Sequence, residues 1–594
     1  MPPNYQQKRW SLADLYPSEQ SAQMEASLSE LEERVSRFET FRDRLTPTIR
    51  LETFLEILAE LEQIARLTHR LGAFAELRYS EDTQDQTILA FKGRLDNLMA
   101  EISNRTLFFS LWWKELPDSA AERLQEGAGD ATYHLEQMRK LRPHTLSEPE
   151  EKVINLKDVT GTEALRTLYS TLTNRYVFRL EVEGQVRELT RGELMVFVRS
   201  PDPGLRAAAY QSQYQVYRED GAILGLIYSA LVRDWRNENL GLRKFRSPLA
   251  VRNLANDLPD PVVETLLEVC RRNAPLFQRF FALKARWLQM PRLRRYDLYA
   301  PVASAEKRYD FAAGIRQVME SLDSFEPRLA DLAERVLEAD HLDSEVRPGK
   351  RAGAFCAPVE PKLIPWVQAN YQGRVEDVAT LAHELGHAIH SELASGHSMF
   401  TFHPSLPLAE TASTFAEMLL VDRLLAQEKD EAVRRDLLFR QVDDAYATIG
   451  RQAYFSLFEK EAHELIPQGA SVEELCQRYL ENLQDQFGDS LDLAPEFRWE
   501  WVSIPHLYEV PFYVYAYAFG QLLVFSLYRR YQAQGKEFIP DYLEILSAGG
   551  SASPDHILSK AGIHIQEAAF WQGGFDAIRD RIVQLEGLPL PPAR

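Results

Sequence analysis

Three observations predict a mainly helical fold. Apolar residues recur at helical spacing over long stretches, the breaks between those stretches are short, and only two segments depart from that period. The first helical stretch runs from Ser18 to about Leu45, with Leu28, Leu31, Val35 and Phe38 on one face; Thr46-Pro47-Thr48 ends it. A second runs from about Arg50 to Leu77, with Phe54, Leu58, Leu61 and Ile64 on one side, and a third from about Asp85 to Leu116. Long helices joined by short breaks predict an antiparallel array. The exceptions are "YVFRLEVEGQVREL" (176–189), which alternates and turns at Glu183-Gly184 as a hairpin does, and "AGAFCAPVEPKLIPWVQANY" (352–371), which reads as a strand pair feeding a helix that begins near Val375. Turn chemistry in "RSPDPGLR" suggests a boundary near residue 200, giving an N-terminal helical domain over 1–200 and a C-terminal domain over 201–594 that holds the chemistry. The Pro-rich end from Leu588 to Arg594 reads as a loose tail.

Composition narrows the function. Of 594 residues, 45% are hydrophobic and 26% charged, as in an ordinary soluble globular protein. A formal net charge of -20 argues against nucleic acid or an anionic membrane as partner, since both require a basic face. The three cysteines, Cys270, Cys356 and Cys476, are odd in number and widely spaced, which fits a reducing cytoplasm better than a disulfide framework. The N-terminus lacks the apolar run of a signal peptide, and no stretch is long and apolar enough to span a bilayer.

The chemistry centres on "VATLAHELGHAIHSEL" (378–393). On a helix over 376–392, His383 and His387 lie almost one above the other, so their imidazoles can reach one ion. Glu384 sits about 100° further round, near the ion without binding it. Two imidazoles plus a flanking carboxylate are what a zinc-dependent hydrolase needs for ligands and general base. The bland alternative is a half-exposed helix with two solvated histidines. Gly386 weighs against it, because glycine costs about 1 kcal/mol inside a helix and is explained if another backbone approaches there.

Catalytic zinc takes three protein ligands and keeps one position open. Position 393 is Leu, so no histidine stands six residues beyond His387, and His390 lies two turns from His383. A carboxylate from the next helix remains. "SLPLAETASTFAEMLLVDRLL" (405–425) offers Glu410 and, two turns on, Glu417, on a face rich in alanine where a carboxylate needs a cationic partner. We assign Glu410 as third ligand and Glu417 as acceptor from the far nitrogen of a ligating imidazole; Asp377 and Asp422 are alternatives for that second role.

"RAGAFCAP", "VATLAHELGHAIH" and "PLAETASTFAE" together resemble the thimet oligopeptidase family of zinc peptidases, in its oligoendopeptidase F branch. "WSLADLYPS", "RRYDLYAP", "IPHLYEVPFYVYAYAFG" and "LSAGGSASPDHIL" extend the likeness over nearly the whole chain. The resemblance implies an almost wholly helical, two-lobed fold around a deep channel with a small sheet at its wall. It also implies one zinc ion per chain on His383, His387 and Glu410, with short peptides as substrates. Among the aromatic residues of 504–520, where Tyr508, Tyr513, Tyr515 and Tyr517 crowd together, it assigns substrate contacts to His506 and Tyr515. Phe512 replaces a tyrosine found in some relatives.

An extended peptide can add to a sheet edge, and "GAFCAP" (353–358) is suited to it because Gly353 and Ala354 leave room for a backbone. Cys356 reads as packing, since the sequence sets no base beside it. The expected activity is cleavage of short oligopeptides in the cytoplasm by a metalloendopeptidase with Glu384 as base. The rivals are a carboxypeptidase or dipeptidyl carboxypeptidase on the same helical fold, and a peptide-binding scaffold that has lost the chemistry.

Overall fold

A computed structural model describes residues 5–302 and 307–590. Residues 591–594 of the expected loose tail lie outside the described residues. Helices dominate, and the sheets are small. No helix among the described residues is long and apolar enough to cross a membrane.

The chain divides into two compact units, and neither is a contiguous half. Unit 1 comprises residues 1–142, 306–427 and 530–563; unit 2 comprises 143–305, 428–529 and 564–594. This partition in space differs from the linear boundary expected at residue 200, which falls inside unit 2. Turn chemistry marks where the chain bends, whereas compact units follow contacts between distant segments.

Unit 1 opens with three helices whose limits follow from their caps. Ala22–Glu39 starts where the Ser21 side chain accepts from the Met24 amide, later than the expected Ser18. Leu51–Glu81 buries Phe54, Leu58 and Ile64, and Gln86–Glu115 is capped by Asp85. Burial of Leu31, Val35, Phe38, Phe54, Phe109 and Trp113 together forms the core of this part. The strand pair expected in 352–371 is present: Phe355–Ala357 runs antiparallel to Trp366–Gln368, with Cys356 opposite Val367. Leu342–Asp343 pairs in parallel on the other side of Trp366–Gln368, which leaves Phe355–Ala357 at an edge. Lys350, with a wholly buried side chain, fixes the approach to that edge by donating to Asp343 Oδ1 at 2.8 Å and to the Ala369 carbonyl at 2.7 Å.

Unit 2 contains the expected hairpin, Phe178–Val182 against Gln185–Leu189. Glu183 and Gly184 form its two-residue turn, both with positive φ, as a primed turn requires. A second, two-residue parallel pair joins Leu293–Arg294 to Leu491–Asp492, and the remainder is mostly helical, including most of Tyr515–Gln534.

Candidate metal centre

The site helix, Val375–Leu393, begins where Asp377 folds back to accept the Arg374 and Gln372 amides at 2.9 and 2.8 Å. Asp377 is therefore a helix cap and not a partner of a ligating imidazole. Further along, the Nε2 atoms of His383 and His387 stand 3.2 Å apart. Gly386 meets the following helix backbone to backbone: a Cβ there would lie 2.6 Å from Ser413 Cα and 2.8 Å from the Ala412 carbonyl oxygen.

That second helix, Thr411–Gln427, follows a short helical turn, Leu406–Ala409, and Glu410 sits at the junction. Its Oε2 lies 3.3 Å from His383 Nε2 and 3.4 Å from His387 Nε2. Ser413 Oγ donates to the same oxygen at 2.8 Å, a contact the sequence reading missed. The i, i+3 spacing of Glu410 and Ser413 was its only signal. Glu417 Oε1 faces His383 Nδ1 at 2.5 Å. Asp422 points elsewhere, accepting from Gln532 at 3.4 Å.

These spacings fit a metal ion. Two ligands about 2.0–2.1 Å from one ion at the tetrahedral angle stand about 3.3 Å apart, and the three sides of the triangle are 3.2, 3.3 and 3.4 Å. The electrostatics agree. Burial opposes a charge on His383, but Glu410 and Glu417 overcome it and raise its pKa to about 10. Burial likewise opposes ionisation of Glu410, yet the two imidazoles hold its carboxyl far below the usual range. The cluster is thus built around positive charge. A second group, Asp158, Asp234 and Glu238, contains only carboxylates, and Thr162 and Arg243 already engage two of them.

Glu384 is only 6% exposed. Burial raises its pKa, and the neighbouring imidazoles partly offset this. It lines a recess of about 440 Å³ with His383, His387, Glu410, Ala354 and Phe355. Buried His390, outside the cluster of His383, His387 and Glu410, lines it as well, and burial lowers its pKa to about 4. Ala354 therefore stands at the site, while the Gly353 carbonyl accepts from Asn370 at 2.9 Å. Burial raises the Cys356 thiol pKa well above its ordinary value, as expected of a packing residue.

The aromatic segment lies in unit 2. His506 Nε2 is 3.4 Å from the Tyr517 hydroxyl, and its ring is parallel to that of Tyr513. All three are half-buried. Tyr515, expected to reach the substrate, is fully buried and its hydroxyl accepts from Asn256 at 2.9 Å. Tyr508 is buried too, donating to the Leu224 carbonyl at 3.3 Å. Residues 515 and 517 are about 200° apart on a helix, so the face that enters the core is opposite to the one that meets His506.

Paired imidazoles, a buried carboxylate between them and a third ligand from a second helix define a class, the metallopeptidases. Comparison with known proteins narrows it. The family model described as Peptidase family M3 matches residues 196–577, and one described as Oligopeptidase F matches 112–178. The chain therefore belongs to peptidase family M3, in its oligoendopeptidase F branch. Oligopeptidase PepF of Bacillus subtilis is 25% identical over 98% of this chain and 87% of its own length. An oligoendopeptidase F homolog of Lactococcus lactis is 26% identical over 98% and 97%. Among solved structures, a chain from Chlamydophila abortus matches with TM-score 0.87 at 24% identity, covering 98% of each. Oligoendopeptidase-F from Enterococcus faecium matches with TM-score 0.71 at 24% identity, covering 94% of this chain and 99% of its own.

Proposed function

We propose that this chain is a zinc-dependent endopeptidase that hydrolyses short oligopeptides. The observation that carries the reading is the near-equilateral triangle formed by His383 Nε2, His387 Nε2 and Glu410 Oε2. His383, His387 and Glu410 would hold one zinc ion, which when bound lowers the pKa of water and polarises a carbonyl. Glu417 fixes the His383 tautomer by accepting from Nδ1, leaving Nε2 free to ligate. Glu384 takes the proton from the attacking water and delivers it to the leaving amine; its burial favours a carboxyl that can hold that proton. The edge strand Phe355–Ala357 offers unpaired backbone groups to an extended peptide, with Ala354 at its start. The resemblance assigns substrate contacts to His506 and Tyr515; for the tyrosine, exposure favours Tyr513 or Tyr517 over the buried Tyr515.

No lysine or arginine is among the residues lining this recess in unit 1, which favours an endopeptidase over a carboxypeptidase. All three cysteines, Cys270, Cys356 and Cys476, are unpaired thiols, which supports a cytoplasmic setting.

The test is a fluorogenic peptide blocked at both ends, given to the wild type and to Glu384→Gln, with metal content measured in both. Cleavage by the wild type, one zinc per chain in both proteins and a loss of about 10²- to 10⁴-fold in the variant are expected. A metal-free wild type that cannot be activated by zinc overturns the reading.

A further inference from the structure

The loop joining the two ligand-bearing helices, residues 395–405, is clamped from both flanks within unit 1. On one flank a single carboxylate, Asp130, gathers three of its residues. Asp130 Oδ1 faces His397 Nδ1 at 2.8 Å. Its Oδ2 accepts from the Ser398 amide at 2.8 Å, the Ser398 hydroxyl at 2.5 Å and the Thr401 hydroxyl. Burial alone would raise the Asp130 pKa, but these donors hold it at about 2, so the acceptor is an anion and its bonds are of the stronger, charge-assisted kind. Glu62 adds a bond from the Met399 amide at 3.1 Å, and Phe400 stacks on His134. On the other flank, His397 Nε2 faces the Ser547 carbonyl at 2.9 Å and the Gly550 amide donates to the Thr401 carbonyl at 2.7 Å. A Cβ at Gly549 would lie 2.6 Å from that oxygen, and one at Gly550 2.4 Å from the His403 oxygen, so only glycines allow this approach.

Beyond the clamp the same loop turns into the recess. Phe402, His403 and Pro404 line it together with Phe355, Pro358 and Ala409. The wall they make is largely apolar, and no lysine or arginine is on it. We propose that Asp130 is a positioning residue for peptide selection: it fixes the loop that forms this wall and so determines which substrate side chain, bulky and uncharged, the recess admits. The inference rests on the endopeptidase reading above. Asp130 lies more than 250 residues before the loop in sequence and touches none of the proposed metal ligands.

A peptide mixture varied at each position around the cleavage site, read by mass spectrometry, tests this on wild type, Asp130→Ala, Asp130→Asn and the loop-side double variant Ser398→Ala with Thr401→Val. The wild type should favour a bulky uncharged residue over glycine by about 10-fold or more at one position beside the scissile bond, the scale a fitted apolar pocket supplies. Asp130→Ala should lose that preference at that position alone, through KM. Its kcat on the glycine peptide should stay within about 3-fold and its metal content should be unchanged. Asp130→Asn keeps an acceptor and should lose less. The loop-side pair removes the two hydroxyl bonds and leaves those from His397 and the Ser398 amide, so it should lose part of the preference, and adding Asp130→Ala to it should bring the loss only to that of Asp130→Ala alone, because the bonds act on one loop. If Asp130→Ala does not fold, the loop-side pair decides. Unchanged selectivity, an equal loss at every position, or loss of metal overturns the proposal. A wild type that cleaves none of the peptides instead overturns the endopeptidase reading.

Discussion

Gly386→Ala probes the link between packing and coordination. The added methyl carbon would stand 2.6 Å from Ser413 Cα, 2.8 Å from the Ala412 oxygen and 3.0 Å from the Ala412 carbonyl carbon. Carbon atoms in contact prefer about 3.5–4.0 Å, so the second helix must retreat by about 1 Å. Ser413, at the point of collision, holds Glu410 Oε2 at 2.8 Å, and the retreat carries Glu410 with it. Ligand distances tolerate only about ±0.2 Å. The fold should survive, since overpacking costs about 1–3 kcal/mol and replacing a helical glycine returns about 1 kcal/mol. Zinc affinity should fall about 10- to 100-fold or more, the range for disturbed ligand support. Chelator competition measures the affinity, circular dichroism the fold, and a peptide assay at saturating zinc the residual activity. A folded variant with wild-type affinity would show that the helix contact does not set the third ligand.

Further outcomes follow from other contacts. Glu417→Ala removes the acceptor from His383 Nδ1 and should weaken zinc binding about 10- to 100-fold by the same competition assay. Tyr517→Phe should lower kcat about 10²- to 10³-fold if its hydroxyl is an oxyanion donor. Tyr515→Phe should instead leave kcat within about 10-fold and lower stability by about 1–3 kcal/mol, because Asn256 loses its partner; the reverse pattern restores Tyr515 as the donor. Burial lifts the Glu459 pKa to about 8, although the Phe512 amide and Arg252 oppose it. A raised carboxyl gives stability that is full below its unfolded pKa of about 4.3 and is lost as pH climbs to about 8. Glu459→Gln should therefore flatten the pH dependence of unfolding between those values, removing a slope of up to about 1.4 kcal/mol per pH unit, as urea titrations would show.

The helices and the convergence of His383, His387 and Glu410 were legible because their information is local. A four-residue step stacks His383 over His387 whatever surrounds them, and the unusual glycine between announced the backbone that touches it. Glu410 needed one long-range assumption, and its position among small residues supplied it. The tyrosines were not legible: two residues along one helix decide between core and surface, and only packing sets that phase. Asp130 was invisible for a related reason, since its partners lie far along the chain and its neighbours carry no pattern of their own. The spatial units were likewise hidden, because each is assembled from segments hundreds of residues apart.

That interleaving has a consequence for biogenesis. Unit 1 draws its last segment from residues 530–563, which include the glycines pressed against the loop beside the recess. During synthesis the paired imidazoles leave the ribosome well before those glycines do. At the proposed metal site, an ion captured in that interval would meet its ligands without their final support, and tight loading would wait until residues 530–563 have emerged.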